Sequence, residues 1–347
     1  MTQQVLEAQM NRRRLVQAAA AVAALAAAPG AARSVAAQEK MKIAFSVPGL
    51  NFPFFVHMMN LAKQHAEELG DVELIELDGQ ENGKPSSTKQ SADIEAAIAQ
   101  GVKGIVISPN DAAALGPAIQ AAIDAGVPVV TVDRNVDPSV KTLAHVGADN
   151  VRGGEIQGEY LISILPDGGN VYELQGQPGA SPAIDRNKGV VQALEGQDKV
   201  VISASQTAEF ARDKAVSVFE AMLAANGEPA AVVCANDDMA FGVIEVATAN
   251  GLSMPVVGFD ALPEALIAIK EGTMAATIEQ HPGMQATTAM DILLAKLKDN
   301  KDPEQHDLFL EPDLITLETL AGAERAAEAG IELEEEITEE MAATPAA

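Results

Sequence analysis

The chain has 347 residues, 48% hydrophobic and 21% charged, the composition of a folded protein long enough for two domains. Lys and Arg total 23 against 50 Asp and Glu, a net charge of −27 that argues against nucleic acid or an anionic membrane surface as partner. One cysteine, Cys234, excludes an internal disulfide framework and a cysteine-rich zinc site, and with no Trp and 3% aromatics each Phe needs a reason.

The first forty residues read as an export signal. Arg12-Arg13-Arg14 precede an apolar run from Ala18 to Ala28, then Pro29-Gly30 and small residues ending Val35-Ala36-Ala37. A basic segment, a short apolar segment and an A-x-A-like site make a signal peptide over 1–37. The run is too short for a finished membrane span. Arg12-Arg13 with Leu15 fits twin-arginine export, and ordinary Sec export fits as well. Cleavage removes four Arg and one Glu and leaves a periplasmic protein more acidic than its precursor.

Strands and helices then alternate. The pattern predicts strand Met41–Val47, helix Pro53–Leu69, strand Val72–Asp78, helix Ser86–Gln100, strand Gly104–Ser108, helix Asp111–Ala125 and strand Val127–Val132. A strand over Thr142–Gly147 and a helix over Asn150–Ile164 follow. Further strands are expected at Asn170–Leu174, Lys199–Ala204, Ala231–Ala235, Pro255–Gly258 and Ala275–Glu279. Helices between and after them are expected at Ser181–Glu195, Glu209–Asn226, Asp237–Asn250, Pro263–Glu271 and Pro282–Leu297. The strand runs are continuous and β-branched, as in parallel sheets buried on both faces. So many strands suit two doubly wound α/β lobes better than one sheet. From Ala321 to Ala347, eight Glu and one Arg among alanines predict a solvated acidic tail.

In open α/β sheets ligands bind beyond the carboxyl ends of the strands. Those ends carry Asn51-Phe52-Pro53-Phe54-Phe55, Asp133-Arg134-Asn135, Asp149-Asn150, Asn236-Asp237-Asp238, Asp260 and Gln280, with Arg186 and Phe210 just after two others. Three of the nine Phe fall within residues 52–55. Such a mixture suits a sugar: aromatic rings cover C–H faces, while Asp, Asn, Gln and Arg present planar forks to vicinal hydroxyls. Each residue also has a plainer role open to it. Asn236 or, more readily, Asp237 can cap the next helix, Asp133-Arg134 can be a surface ion pair, and each Phe can be core.

In order along the chain stand Asn-Phe-Pro-Phe-Phe at 51–55, Val-Asp-Arg-Asn at 132–135, Gly-Ala-Asp-Asn-Val-Arg-Gly-Gly at 147–154 and Glu-Leu-Gln-Gly at 173–176. Cys-Ala-Asn-Asp-Asp-Met-Ala at 234–240, Val-Val-Gly-Phe-Asp at 256–260 and Ala-Thr-Ile-Glu-Gln at 276–280 continue the series. With these motifs the chain from about Lys40 to Leu320 resembles the periplasmic ribose-binding protein family, the type I sugar-binding components of ABC importers. The resemblance implies two doubly wound parallel-sheet lobes joined by a three-crossover hinge, with lobe one over 38–148 plus 281–310 and lobe two over 149–280 plus 311–320. It implies ligand contacts at Phe54, Phe55, Asp133, Arg134, Arg186, Phe210, Asn236, Asp260 and Gln280. The partners it implies are a monosaccharide, with ribose in mind, and a membrane permease that tells the shut form from the open one; presenting sugar to a chemoreceptor would need the same pocket. The chain is expected to act as a monomer, without enzyme activity, cofactor or metal.

Phe52 departs from the pattern, because ribose binders usually carry Asn there. Three Phe cannot share one face of one helical turn, and Pro53 starts the helix, so Phe52 should be extended, lining the cleft or packing as a staple. In the cleft it removes a hydrogen bond, which turns the expectation away from ribose and toward another monosaccharide or a cyclitol; the run from Asp260 to Gly283 looks like family members that bind inositol. A nicotinamide enzyme is disfavoured because no Gly-x-Gly-x-x-Gly follows a strand. The five His are scattered, and no Ser or Cys has a matching base. A sugar-responsive repressor would need a basic helix-turn-helix where the signal peptide stands.

Overall fold

A computed structural model describes residues 40–331. The expected signal peptide over 1–37 and the last sixteen residues of the expected acidic tail lie outside the described residues. Strand β1 (Met41–Val47) leads into helix α1 (Pro53–Leu69) and strand β2 (Val72–Asp78). A short hairpin, β3 (Gln80–Glu81) and β4 (Lys84–Pro85), precedes α2 (Ser87–Ala99), β5 (Gly104–Ile107), α3 (Gly116–Asp124), β6 (Val129–Val132) and β7 (Ala144–Ala148). Next come α4 (Asn150–Ile164), β8 (Gly169–Gln175), α5 (Ser181–Leu194), β9 (Val200–Thr207), α6 (Arg212–Asn226) and β10 (Ala231–Cys234). The chain continues through α7 (Asp237–Asn250), β11 (Val256–Val257), α8 (Pro263–Lys270), β12 (Thr277–Glu279), α9 (Pro282–Asp299), β13 (Asp307–Leu310) and β14 (Asp313–Ile315).

These strands form two parallel sheets, ordered β13-β7-β6-β5-β1-β2 and β11-β10-β8-β9, with β12 and β14 paired antiparallel. Hydrophobic continuity in the strand sequences follows from burial on both faces. In β1, Ile43, Phe45 and Val47 enter the large core while Ala44 faces a second one. In β10, Val232 and Cys234 point to the large core while Ala231 and Val233 point to a third. In each sheet the order reverses beside the first strand of that half, between β1 and β5 and between β8 and β10. Loops leaving such neighbours diverge and open a crevice at the carboxyl ends, and this is where the site residues converge. The chain passes from the first sheet to the second after β7, comes back through α9 after His281, and leaves β13 for β14. Helix α9 lies against α1, β5, β6 and β7.

Three expectations need correction. The helix expected from Asp111 begins at Gly116, because the Asp111 carboxylate accepts from the backbone N–H groups of Ala113 and Ala114 and so holds a turn first. The helix expected from Glu209 begins at Arg212, because Glu209 and Phe210 have φ of 55° and 61°, outside helical space. The expected acidic tail is not solvated throughout. Ala323, Ala326 and Ile331 are buried in the large core beside Leu320, and Glu324 accepts from the backbone N–H of Gly283 at the start of α9. Small alanines at helical-turn spacing supply the apolar contacts, which the acidic composition conceals.

Among the described residues no helix is long and apolar enough to cross a membrane.

Candidate functional site

One cavity between the two sheets is lined by Phe52, Phe54, Phe55, Asp133 and Arg134 from the first half and by Pro182, Arg186, Phe210, Asn236, Asp260 and Gln280 from the second. All ten residues singled out in the sequence therefore come together, over a separation of more than two hundred positions. With Pro182 they close around a small cavity of about 30 Å³. Every one of the ten is buried, Gln280 at 1% exposure and Phe52 at 8%.

Pro53 gives α1 its start, and Phe52, just before it, is extended at φ −94° and ψ 118°. Standing outside the helix, Phe52 reaches the same cavity as Phe54 and Phe55, so the three rings do share it. Phe55 meets Phe52 edge-on at 6.1 Å and Phe54 edge-on at 5.2 Å between ring centroids. The rings are also part of the large core, so packing and cavity lining coincide here.

Asp133 follows β6 at φ 58°, and Asp260 follows β11 at φ 115°; with Phe210 they are three lining residues in the left-handed half of backbone space. Such conformations cost on the order of 1–3 kcal/mol each in non-glycine residues and persist where the surroundings over-determine them. Backbone bonds do so here: Asp133 N–H donates to Val146 O and Asp260 N–H donates to Ile278 O, both at 2.8 Å. The pair Asp133–Arg134 is not the surface pair that sequence allowed, since both are buried, with 3.9 Å between Arg134 Nε and Asp133 Oδ2. Ser108 donates to the same carboxylate at 3.1 Å.

Arg134 bridges the halves. Its guanidinium lies 5.4 Å from the Phe55 ring centroid and 5.5 Å from that of Phe210. Arg186 is held more tightly. Nε donates to Asn150 Oδ1 at 2.8 Å, one terminal nitrogen to Ala235 O at 2.6 Å and the other to Gln280 Oε1 at 3.2 Å, with Asp260 Oδ1 3.6 Å away. Its guanidinium stacks 3.6 Å from the Phe259 ring centroid. Gln280 in turn donates to Asp260 Oδ1 at 2.6 Å.

Two Asp and two Arg make the lining neutral overall when all are ionised. Burial pushes the Asp260 carboxyl up to about 8 against the pull of Arg186, and raises that of Asp133 against Arg134 and Arg186. Burial also lowers Arg134 to about 10 and lowers Arg186, each countered by a neighbouring carboxylate. A carboxylate accepts through two oxygens and a guanidinium donates through five N–H groups, so these side chains retain capacity toward a hydroxyl that both donates and accepts.

Asn236, not Asp237, caps α7: its Oδ1 accepts from Met239 N–H at 3.0 Å while its Nδ2 donates to Phe210 O at 3.3 Å. Asp237, fully buried, instead accepts from Leu262 N–H and from Thr277 and so secures the turn that carries Asp260. Sequence reasoning did not retain Asn150, Asn110 or Gln177 as site residues. Asn150 was visible at a strand end; Asn110 follows Gly104–Ser108 and Gln177 follows Glu173–Gly176, so strand-end position was the available signal. Nor did the scattered histidines foretell that Glu279, His281 and Glu324 bring one ligand atom each within 4.8 Å of one another. The two carboxylates there already accept backbone N–H bonds, Glu279 from Gln280, His281 and Glu324, and Glu324 from Gly283, which marks the group as a tie between chain segments.

Residues 43–302 match the family model described as periplasmic binding protein domain. The chain is 36% identical over 303 residues to the ribose import binding protein RbsB of Salmonella typhimurium, covering 87% of this chain and 98% of that protein. The galactofuranose-binding protein YtfQ of Escherichia coli is 33% identical over 291 residues, 81% of this chain and 90% of that one. Among solved structures, the Caulobacter myo-inositol binding protein bound to myo-inositol superposes with a TM-score of 0.78 at 38% identity, covering 83% of this chain and 97% of that chain. Sequence motifs, sheet order and these relatives agree, and the chain is a member of the periplasmic binding protein domain family.

Proposed function

We propose that this protein is the periplasmic substrate-binding component of an ABC sugar importer and that it captures one monosaccharide or cyclitol in the cavity between its sheets. The observation that carries the reading is the lining itself: two buried Asp and two buried Arg drawn from both halves, framed by four Phe rings. A neutral polyol satisfies such groups without adding charge, and a ligand lacking the hydroxyls leaves them unpaired in a dry site. Because the contacts come from both halves, ligand favours the conformation in which the halves meet, and a permease can read that conformation. The relatives named for ribose and galactofuranose support the substrate class.

Within that class we place a cyclitol or a hexose-like sugar ahead of ribose. Phe52 presents an apolar ring to the cavity where an amide would serve a hydroxyl, and the 38% identical solved relative holds myo-inositol. Thermal-shift screening of the mature chain against ribose, allose, galactose, glucose, xylitol and myo-inositol tests the reading. Ligand at a hundredfold excess over Kd stabilises by about 2.7 kcal/mol, a clear rise in Tm. If no member of the panel raises Tm, the substrate class is wrong.

A further inference from the structure

Beside the cavity, a second set of bonds joins the two halves. Asn110, in the loop after β5, is fixed from its own side. Its N–H donates to Gln90 Oε1 at 2.8 Å and its Nδ2 donates to Ser87 at 3.1 Å. Gln90 is itself fully buried, donating to Ser46 and to Ser108 O. Asn110 thus holds out two acceptors, O and Oδ1, in a set direction. Gln177, in the loop after β8, donates its Nε2 to both, at 3.0 Å and 2.9 Å. Its Oε1 accepts from Arg134 at 3.4 Å, and that guanidinium also donates to Asn110 O at 3.2 Å. Gln177 lies outside the cavity lining.

The same rim carries two further ties, one backbone to backbone and one backbone to side chain. Ala112 N–H donates to Gly179 O at 3.0 Å, and Asn135 N–H donates to Ser181 Oγ at 2.8 Å. Gly179, at φ +83°, comes so near Asp111 that a Cβ there would lie 2.0 Å from Asp111 Oδ2. The approach of the loops is therefore built into the sequence.

Resting on the reading of the cavity as a sugar site opened and shut by its two halves, we infer that Gln177 is a positioning residue for ligand capture. It latches onto Asn110 when the halves meet. It acts on the equilibrium between separated and meeting halves, so it scales the affinity for every ligand alike; the cavity residues set the ratios among ligands.

The test is Gln177→Ala in the mature chain. Kd for myo-inositol, ribose and one hexose is measured by calorimetry, Tm of the ligand-free protein by scanning calorimetry, and the ligand-free radius of gyration by small-angle X-ray scattering. Loss of the two hydrogen bonds to Asn110 and of the longer one from Arg134 predicts weakening of about 5- to 150-fold, by the same factor for each ligand that wild type binds. Ligand-free Tm should stay unchanged and the variant should scatter as a more extended particle. An unchanged Kd, a factor that differs among ligands, or a matching fall in ligand-free Tm overturns the assignment. If wild type binds none of the ligands, the sugar reading fails by itself, and the scattering comparison still decides the latch: equal radii overturn it.

Discussion

Replacing Arg186 by Ala probes the cavity at its most connected point. The side chain is 3% exposed, and its guanidinium donates to Asn150, Ala235 O and Gln280 beside the Asp260 carboxylate. Truncation takes away the donors proposed for ligand hydroxyls and leaves the Asp260 carboxyl without its partner. Removing one partner from such a group costs on the order of 2–4 kcal/mol of binding, or about 30- to 1,000-fold in Kd. Ligand-free stability falls as well: Asn150, Ala235, Asp260 and Gln280 all follow β7 in the chain and belong with Arg186 to one network, so the loss is felt without ligand too. Calorimetry on Arg186→Ala should therefore show both weakened binding and a lowered ligand-free Tm. Adding Asp260→Asn replaces the buried carboxyl that has lost its partner and should recover part of the Tm but not the affinity. An Arg186→Ala protein that binds the best ligand within about threefold of wild type would refute the role given to this residue.

Phe52→Asn should narrow or reverse the preference of wild type for its best ligand over ribose, read from the two Kd values; a ratio that does not move makes Phe52 a packing residue only. Asp260 contributes to the pH dependence of stability. Its carboxyl, pushed up to about 8 by burial from 3.8, keeps in the folded chain a proton that the unfolded chain releases, so its contribution is present at low pH and is lost as pH rises toward 8. The Tm of wild type should therefore gain on that of Asp260→Asn as pH is lowered from 8 to 5, and a difference independent of pH contradicts this. Leu320→Ala should cost about 2–5 kcal/mol in urea unfolding, because the side chain is 5% exposed within the core; a near-neutral effect would return this segment to a solvated tail.

Much of the site was legible because parallel α/β architecture converts a one-dimensional cue into a place. Strand runs such as Gly104–Ile107 and Val129–Val132 are continuous and β-branched, and whatever follows them is delivered to the same end of a sheet. The polar residues after those runs could thus be named before any coordinate was known. The left-handed backbone at Asp133, Phe210 and Asp260 was not legible, and at Asp133 and Asp260 the bonds that hold it come from distant strands. Asn236 and Asp237 look alike as helix caps; what separates them is Thr277, forty residues away, which draws Asp237 aside. The partnership of Asn110 with Gln177 spans 67 positions and depends on how two loops from different sheets meet, which no periodicity encodes. The packed stretch from Leu320 to Ile331 was hidden by its glutamates, since alanines spaced along a turn bury little area yet enough to dock.

The central claim, that the cavity takes an uncharged polyol ring, is tested most directly by isothermal titration of the mature protein with myo-inositol and with ribose under identical conditions. Wild type should bind myo-inositol at one molecule per chain, with ribose weaker, and Arg186→Ala should lose the heat of binding at the same concentrations. A protein that remains folded and binds neither of these nor any hexose tried would contradict the account; ribose bound more tightly than all of them would overturn the reading of Phe52.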